Sequence, residues 1–585
     1  MAKVLASTFL HSTKVHRLQH GGNAVVVSEL QHLDDGTTRP ALVTHMNPKR
    51  SFWTTKIPYR THDEKRVIED VNKLDRHVVE DSRLDEEIFR ALNGYYPKGR
   101  VSRDKLYDSP YLYGANIDIQ TLIKAKSNQV RDAAKIDMAV PTVGFLDIER
   151  SIDKATMDEI TIISVTHENQ VYTAINKFFF HKVEGDKRIP GDLRELSDLS
   201  HSVLDPLIDQ MFKENKYLPL HKGRLPFKFH YFLGSEIECI KWIFDCIKKN
   251  KTSFVGIWNM DFDIPAIVQA IEKHGEDPAE IFCDDSLPKD CKVFKYKRDE
   301  KVVAHPTEKW HWLHCSGYTQ YYDAMCLYAK LRTVKGKESS YALDNILKSN
   351  NLEGKLKFPE IESMNSLSKE NWHREMTRSQ FYRYIIYNQA DVVWIQLMEW
   401  LNTDALSMCM LSGVSALEKF PRQTKKVQDT LFVDWVPRGY ILGTTAQDMT
   451  SEIDDEIGAT GGAVLDPNRT EECGLFCVKE APNQRTRITA HNNDVDFSAM
   501  YPTTEMAGNI GTDTKLSTVV AIYGDSLQRY YTPSEAVEKV FGYIVSPYDN
   551  ALHIGTKIFG LPNISELEDL FDRHLSGENV FALAA

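Results

Sequence analysis

Short apolar runs alternate with polar breaks between residues 143 and 180. Residues 143–149, 160–165 and 171–180 are rich in β-branched and aromatic side chains, and polar or charged residues separate the three runs. Runs of this kind are typical of β-strands, in which successive side chains point to opposite faces. The pattern predicts three consecutive strands.

A helical pattern follows at residues 235–250. Its apolar positions recur three or four residues apart, at Ile237, Ile240, Ile243, Phe244 and Ile247. Ser235 precedes them as an N-cap and Glu238 follows three residues later, which is typical of a capping box. A strand at residues 254–258 and a further helix are predicted next.

A longer helix is predicted at residues 381–401. Its apolar stripe consists of Ile386, Ala390, Val393, Leu397 and Leu401. Spacings of three and four place such residues on one face of a helix. The order of three strands, a helix, a strand and more helices resembles an RNase H-like α/β layer, in which acidic residues at strand ends and helix starts meet along one edge.

The composition is that of a globular chain, with 42% hydrophobic and 26% charged residues among 585. At roughly 150 residues per domain, this length predicts about three to five domains. No apolar run reaches the ~18 residues of a membrane-spanning helix, and the N-terminal residues lack the apolar core of a secretory signal. We therefore expect a multidomain cytoplasmic protein without a membrane anchor.

The charge balance limits the surfaces that could bind nucleic acid. Lysine and arginine number 71 against 83 acidic residues, a net charge of −12. This balance argues against a protein coated with basic surface, but it allows a basic groove beside acidic metal sites. Candidates for such a groove are Lys419, Arg422, Lys425 and Lys426, for which a solvated helix face is the alternative interpretation.

The nine cysteines include no CxxC pair, which predicts reduced thiols and no disulfide framework. A zinc site is an alternative, although the spacings fit no common structural zinc site. Its candidate ligands are Cys283, Cys291, His311, His314 and Cys315.

Asp147 and Glu149 are two residues apart on the first predicted strand. They project to the same face, while Ile148 points to the opposite layer. Two carboxylates on one face repel unless a cation lies between them, and Mg²⁺ and Mn²⁺ prefer oxygen ligands. The alternative is an exposed edge strand whose acidic side chains bind no metal.

Two further acidic positions follow along the chain. Asp263 stands just before Pro265, a pattern typical of a helix start, so its carboxylate can cap that helix and face the metals. Tyr387 and Asp391 are four residues apart and share a face beside the apolar stripe of the helix at 381–401. We expect the phenol to orient a water or a phosphate and the carboxylate to hold a metal.

A fourth cluster, Asp496-Phe497-Ser498-Ala499-Met500-Tyr501-Pro502, comes after these three. The sets D-x-E, N-x-x-F-D and Y-x-x-x-D resemble exonuclease motifs I, II and III of family B DNA polymerases, especially those of tailed bacteriophages. The fourth cluster resembles their polymerase motif A, D-x-x-S-L-Y-P, with Ala499 and Met500 in place of the usual Ser and Leu. The resemblance covers about residues 140–510.

The resemblance implies a multidomain α/β protein with a 3′→5′ proofreading exonuclease. The implied domains are an N-terminal mixed α/β domain at 1–139 with a return segment at about 404–455, an RNase H-like exonuclease domain at 140–403, the first part of a polymerase palm at 456–540, and the start of fingers or a partner-docking tail at 541–585.

The resemblance also implies two ions, Mg²⁺ or Mn²⁺, in each active site. The implied ligands are Asp147, Glu149, Asp263 and Asp391 in the exonuclease and Asp496 in the palm. Tyr387 would position the nucleophile, while Phe497, Ala499, Met500 and Tyr501 would bind the nucleotide. The implied substrates are a DNA primer–template, its single-stranded 3′ end and deoxynucleoside triphosphates.

Family B polymerases also carry a D-T-D motif and a fingers helix with an Asn-Ser-x-Tyr-Gly run, and the sequence contains neither. Two-metal nucleotidyl transfer requires ligands for both ions, so Asp496 alone cannot build that site. We expect a polymerase split between two polypeptides in the cytoplasm of an infected bacterial host. The second polypeptide would supply fingers, the remaining palm and thumb, and a connection to any sliding clamp. The alternatives are a stand-alone exonuclease with a vestigial palm and a non-catalytic nucleic-acid-binding subunit.

Overall fold

The computed structural model describes residues 2–445, apart from residues 17–20, 63–64, 100, 185–186, 222–224, 300–304, 334–337, 359–366 and 412. The predicted palm and tail lie outside the described residues. So do the nucleotide-site residues Asp496, Phe497, Ala499, Met500 and Tyr501.

The described residues form a mixed α/β structure with a large multi-stranded sheet. The strands of the described residues are β1 (Val4–His16), β2 (Asn23–Leu33), β3 (Thr38–Met46), β4 (Lys49–Thr55), β5 (Ile68–Asp70), β6 (Leu74–Glu80), β7 (Leu112–Tyr113), β8 (Val143–Arg150), β9 (Ile160–His167), β10 (Gln170–Asn176), β11 (His181–Glu184), β12 (Lys187–Pro190), β13 (Lys228–Gly234), β14 (Phe254–Ile257), β15 (Phe294–Lys297), β16 (Trp312–Cys315), β17 (Gln320–Asp323) and β18 (Tyr440–Leu442). Its helices are α1 (Leu84–Asn93), α2 (Arg103–Tyr107), α3 (Ile119–Ala133), α4 (Leu193–Glu214), α5 (Leu218–His221), α6 (Glu236–Asn250), α7 (Met260–Lys273), α8 (Pro278–Phe282), α9 (Ala324–Leu331), α10 (Leu343–Ser349), α11 (Lys369–Ser379), α12 (Phe381–Asn402), α13 (Asp404–Met410) and α14 (Gln423–Trp435).

The largest sheet contains eight strands in the order β13-β10-β9-β8-β14-β17-β16-β15. Strands β8, β9 and β10 form the predicted antiparallel meander, and β14 lies parallel to β8 on its other side. The third strand ends earlier than predicted, at Asn176. A turn follows, in which the Phe179 N–H donates to the Asn176 carbonyl at 3.0 Å.

Alternate residues of β8 pack into two different cores. Phe145 belongs to the core that includes α12, whereas Leu146 and Ile148 belong to the core that includes α6 and α7. Asp147 and Glu149 have the same parity as Phe145, so they project toward α12. The period of a strand therefore places both carboxylates under one helix.

The two main predicted helices are present. Helix α6 starts after Ser235, and Ser235 and Glu238 form the predicted capping box. Helix α12 is buried on nearly all sides and not only along the predicted stripe, because the sheet, α4, α5, α10 and α11 all contact it. Among the helices of the described residues, none is long and apolar enough to span a bilayer.

The segment after α12 contacts the N-terminal part of the chain. On α3, Lys124 donates to the carbonyl oxygens of Cys409, Leu411 and Val414 at 3.1, 2.8 and 2.7 Å. Strand β18 pairs with β5 in the same region. Residues 404–445 and the N-terminal elements are thus joined by strand pairing and by a buried ammonium group.

Lys419 is buried at this junction. It is 1% exposed, and its ammonium donates to the hydroxyls of Thr121 and Ser415 at 2.8 Å. It also pairs with Asp118 and Asp429 at 3.0 and 3.3 Å. Both interpretations of Lys419 from the sequence, a basic groove and a solvated helix face, are therefore wrong.

Candidate metal centre

Three carboxylates meet where β8 faces α12. Ligand oxygens of Asp147, Glu149 and Asp391 all lie within 4.8 Å of one another. Strand β8 supplies the first two, and α12 supplies Asp391, which is 1% exposed. The structure thus brings together three of the four predicted exonuclease ligands from residues 244 positions apart in sequence.

Asp263 is on α7, the helix that follows β14, and does not belong to this group of three. Helix α7, which carries it, follows β14 beside β8. The helix begins at Met260 with Asn259 as its N-cap, and the Asp263 N–H donates to the Asn259 carbonyl at 3.2 Å. The expectation that Asp263 caps the helix is therefore wrong, because Asp263 already lies within the first turn.

Burial raises the pKa of the four carboxyl groups, and their mutual repulsion adds to the rise for three of them. Burial first, and then the nearby Asp391 charge, raises the pKa of Asp147 to about 7. The pKa values of Glu149 and Asp263 are raised well above normal by burial and then by Asp147. A divalent cation favours ionised carboxylates, so binding one here would release protons.

Lys355 lies against the α12 side of the cluster. Its Nζ donates to Asp391 Oδ2 at 2.5 Å and to Tyr387 Oη at 2.9 Å. Burial raises the pKa of Asp391, and the Lys355 charge opposes that rise. The sequence gives no signal for Lys355, because the residue lies between α10 and α11 and belongs to no periodic pattern.

Two other residues of α12 hold the carboxylates of β8. Tyr384 Oη donates to Glu149 Oε2 at 2.5 Å, and Asn388 Nδ2 donates to Asp147 Oδ2 at 2.7 Å. Neither residue was predicted as part of the site. Their spacing could have revealed them, because positions 384, 387, 388 and 391 share one face of a helix.

The donor set fits a hard divalent cation such as Mg²⁺ or Mn²⁺. All three grouped ligand atoms are carboxylate oxygens, the donors that these ions prefer. Asp391 Oδ1 is buried and has no hydrogen-bond partner among the described residues. A buried unpaired oxygen is unfavourable, and coordination to a cation would satisfy it.

A second group does not fit a metal. Ligand atoms of His311, Asp323 and Cys326 are buried and lie within 4.8 Å of one another. However, the Asp299 N–H donates to His311 Nδ1 at 3.1 Å, which assigns the ring proton of a neutral imidazole to Nε2. Neither ring nitrogen then offers a lone pair to a metal. Asp323 Oδ1 caps α9 by accepting from the Cys326 N–H at 2.8 Å, and Asp323 Oδ2 is buried without a hydrogen-bond partner among the described residues. It is therefore the engaged imidazole of His311 that makes this group unsuited to a metal.

An aromatic ring and a guanidinium group flank the carboxylates. Phe262 precedes Asp263 and is 49% exposed, and Arg150 follows Glu149. The guanidinium carbon of Arg150 lies 4.1 Å from the centre of the Phe262 ring.

No family model matches this chain, and no curated protein matches it.

Proposed function

We propose that this chain carries a 3′→5′ DNA exonuclease that uses two divalent cations, Mg²⁺ or Mn²⁺, as the proofreading part of a DNA polymerase. The observation that carries the proposal is the convergence of Asp147, Glu149 and Asp391 oxygens within 4.8 Å. Asp263 is the proposed fourth ligand. An RNase H-like domain is part of the same proposal, supported by the meander β8–β10 followed by α6 and the parallel strand β14.

Bound cations would activate a water and stabilise the charge that develops on the leaving 3′ oxygen. Among the residues of this chain, Lys355 sets the direction in which the Tyr387 hydroxyl can donate its proton. Because Lys355 Nζ donates to the Tyr387 oxygen at 2.9 Å, the phenolic proton remains to be donated to a water or to a phosphate oxygen. The Lys355 charge also attracts the scissile phosphate.

The DNA end would approach past Phe262 and Arg150. An exposed aromatic ring offers a stacking surface to any base, and a guanidinium group binds phosphate. Their position next to Asp263 and Glu149 is suited to a single-stranded 3′ end. Mispaired ends are expected to enter preferentially, because a paired end must first be melted.

The residues proposed for nucleotide transfer lie outside the described range. Asp496 would bind a metal, and Phe497, Ala499, Met500 and Tyr501 would contact the deoxynucleoside triphosphate. A second polypeptide with fingers, the remaining palm and thumb would complete that site and would connect it to any sliding clamp. This part, with its setting in the cytoplasm of an infected bacterium, stays a prediction.

The test uses the purified chain, Mg²⁺ and a 5′-labelled primer on a template, with and without deoxynucleotides. Wild type is expected to shorten the primer, and Asp147→Ala is expected to leave it intact. Asp245→Ala is the matched control, since Asp245 is an exposed residue of α6. The control should behave as wild type.

The other outcomes separate the alternatives. No metal-dependent shortening would contradict a nuclease that acts in this chain alone, and would favour a binding subunit or an exonuclease that needs its partner polypeptide. Extension by this chain alone would contradict the need for a second polypeptide. A stand-alone exonuclease would be indicated if no polypeptide with a D-T-D motif copurified with the chain from its natural host.

A further inference from the structure

A chain of hydrogen bonds leads from α11 to the carboxylates of the metal centre. His373 Nδ1 lies 2.8 Å from Tyr384 Oη, which donates to Glu149 Oε2 at 2.5 Å. The imidazole itself remains 3.8 Å from Glu149 Oε2. We infer that Tyr384 is a positioning residue for Glu149 and that His373 acts through Tyr384. The inference rests on the proposed function for the reaction that the positioned carboxylate serves.

The direction of the hydrogen bonds follows from the state of Glu149. A carboxylate that binds a cation is ionised and can only accept, so the single proton of Tyr384 goes to Glu149. The Tyr384 oxygen then accepts from Nδ1–H of His373. The bond to Oε2 thereby fixes the orientation of the Glu149 carboxylate.

Burial limits the access of water to the hydrogen bond between Tyr384 and Glu149. Tyr384 is 0% exposed and Glu149 is 9% exposed, so water can replace the phenol only if the packing of α12 against β8 changes. Hydrogen-bond partners of metal ligands fix ligand orientation, and their loss typically costs about 10- to 100-fold in metal affinity or activity. Tyr384 satisfies the structural description of such a partner.

Helix α11 is itself fixed against both sides of the site. The Trp372 ring lies edge-on to the rings of Tyr384 and Tyr387, with centroids 6.1 and 5.1 Å apart. Arg378 pairs with Asp153 at 2.6 Å, in the loop that follows β8. His373 is therefore held by an element that contacts both the loop after β8 and the helix that carries Asp391.

The chain provides a matched control on the same helix. Tyr382 is also buried, at 8% exposure, and its hydroxyl donates to the Asp192 carbonyl at 3.0 Å. Replacing either tyrosine by phenylalanine removes one hydroxyl from α12. Only Tyr384→Phe removes a hydrogen bond to a predicted metal ligand.

The experiment measures Mn²⁺ binding to the full chain by the electron paramagnetic resonance signal of free Mn²⁺, with no nuclease readout needed. Tyr384→Phe is expected to weaken Mn²⁺ binding by about 10- to 100-fold, while Tyr382→Phe keeps the wild-type affinity. His373→Ala should also weaken it. His373→Asn should restore it, because the amide nitrogen of asparagine occupies nearly the place of Nδ1.

The double variant tests whether His373 acts through Tyr384. If it does, Tyr384→Phe with His373→Ala binds Mn²⁺ no more weakly than Tyr384→Phe alone. Additive losses would overturn the role of His373. Urea unfolding in EDTA shows whether Tyr384→Phe folds without metal. If it does not fold, the comparison of His373→Ala with His373→Asn decides whether His373 acts through Tyr384.

The inference and the proposed function fail in different ways. Unchanged Mn²⁺ affinity in Tyr384→Phe, or an equal loss in Tyr382→Phe, would overturn the inference while primer shortening by wild type left the exonuclease standing. Mn²⁺ binding by wild type without primer shortening would refute an exonuclease that acts in this chain alone, while the Mn²⁺ affinities of the variants would still decide the positioning role. A wild-type chain that bound no Mn²⁺ would refute both.

Discussion

Lys355 Nζ lies 2.5 Å from Asp391 Oδ2, and this ion pair places a positive charge beside a predicted metal ligand. Asp391 is almost wholly buried, whereas the Lys355 side chain is 35% exposed. The ammonium and a metal ion would compete for the same carboxylate. Removing the ammonium should therefore affect metal binding and the reaction in opposite directions.

Lys355→Met is expected to tighten Mn²⁺ binding, because a repelling charge leaves the site. The exonuclease rate should nevertheless fall by about 10²-fold, since Tyr387 loses its partner and the phosphate loses a positive charge. Single-turnover primer shortening and Mn²⁺ titration measure the two effects. Lys357→Met, at an exposed position two residues away, is the control. Weaker Mn²⁺ binding in Lys355→Met would contradict the competition.

Periodic patterns in the sequence predicted the elements that carry the site. The predicted strand 143–149 matches β8, and the predicted helices 235–250 and 381–401 match α6 and α12 to within one residue at each end. Such agreement is expected where burial on a regular face dictates the spacing of apolar residues. The class of the fold and the shared face of Asp147 and Glu149 followed from that spacing.

The start of α7 and the contacts between distant segments could not be predicted in this way. The start of α7 was misplaced because Asp263 and Pro265 looked like a cap and a first turn, whereas Asn259 takes the cap position. Lys355 was missed because only the folded chain brings it to Asp391. Single residues in loops have no periodicity, so tertiary structure alone assigns their partners.

Gly144→Ala is expected to destabilise the chain by about 1–3 kcal/mol. A Cβ at Gly144 would lie 2.0 Å from the Thr166 carbonyl oxygen on β9, and a backbone atom cannot move away as a flexible side chain can. Gly99→Ala is the control, because a Cβ there meets nothing within 4 Å. Urea unfolding midpoints measure the difference. Equal midpoints for the two variants would show that β8 and β9 separate more easily than the structure implies.

His11 is expected to make stability fall at acidic pH. Burial first, and then the charges of His314, Lys124 and Lys419, lowers the pKa of His11 to about 3, below the value of about 6.5 in an unfolded chain. Between these values the unfolded state binds a proton that the folded state excludes. The free energy of unfolding should therefore decrease as pH falls below about 6.5, by up to about 1.4 kcal/mol per pH unit.

His11→Gln tests this assignment. In the folded chain, His11 Nε2 accepts from the Leu417 N–H at 2.9 Å, and a glutamine oxygen can accept the same bond without titrating. Urea unfolding between pH 7.5 and 5 should show a shallower decline for the variant than for wild type. Parallel declines would assign the acid sensitivity to other groups.

Asp263 is expected to serve a different ion from the one that Asp147, Glu149 and Asp391 hold. Only those three oxygens lie within 4.8 Å of one another among the described carboxylates, which is a ligand set for one ion. Asp263→Asn should therefore keep one tight Mn²⁺ and lose a second, weaker one, together with primer shortening. Asp391→Asn should weaken the tight ion itself.

Asp261→Asn is the matched control for Asp263→Asn, because both residues lie in the first turn of α7. Asp261 pairs with Arg298 at 2.7 Å and accepts from the Tyr296 hydroxyl at 3.1 Å, so its carboxylate is already engaged. It should keep both Mn²⁺ ions and full primer shortening. The loss of the tight ion in Asp263→Asn would instead place Asp263 with the other three carboxylates, and would require α7 to move toward β8 when the metal binds.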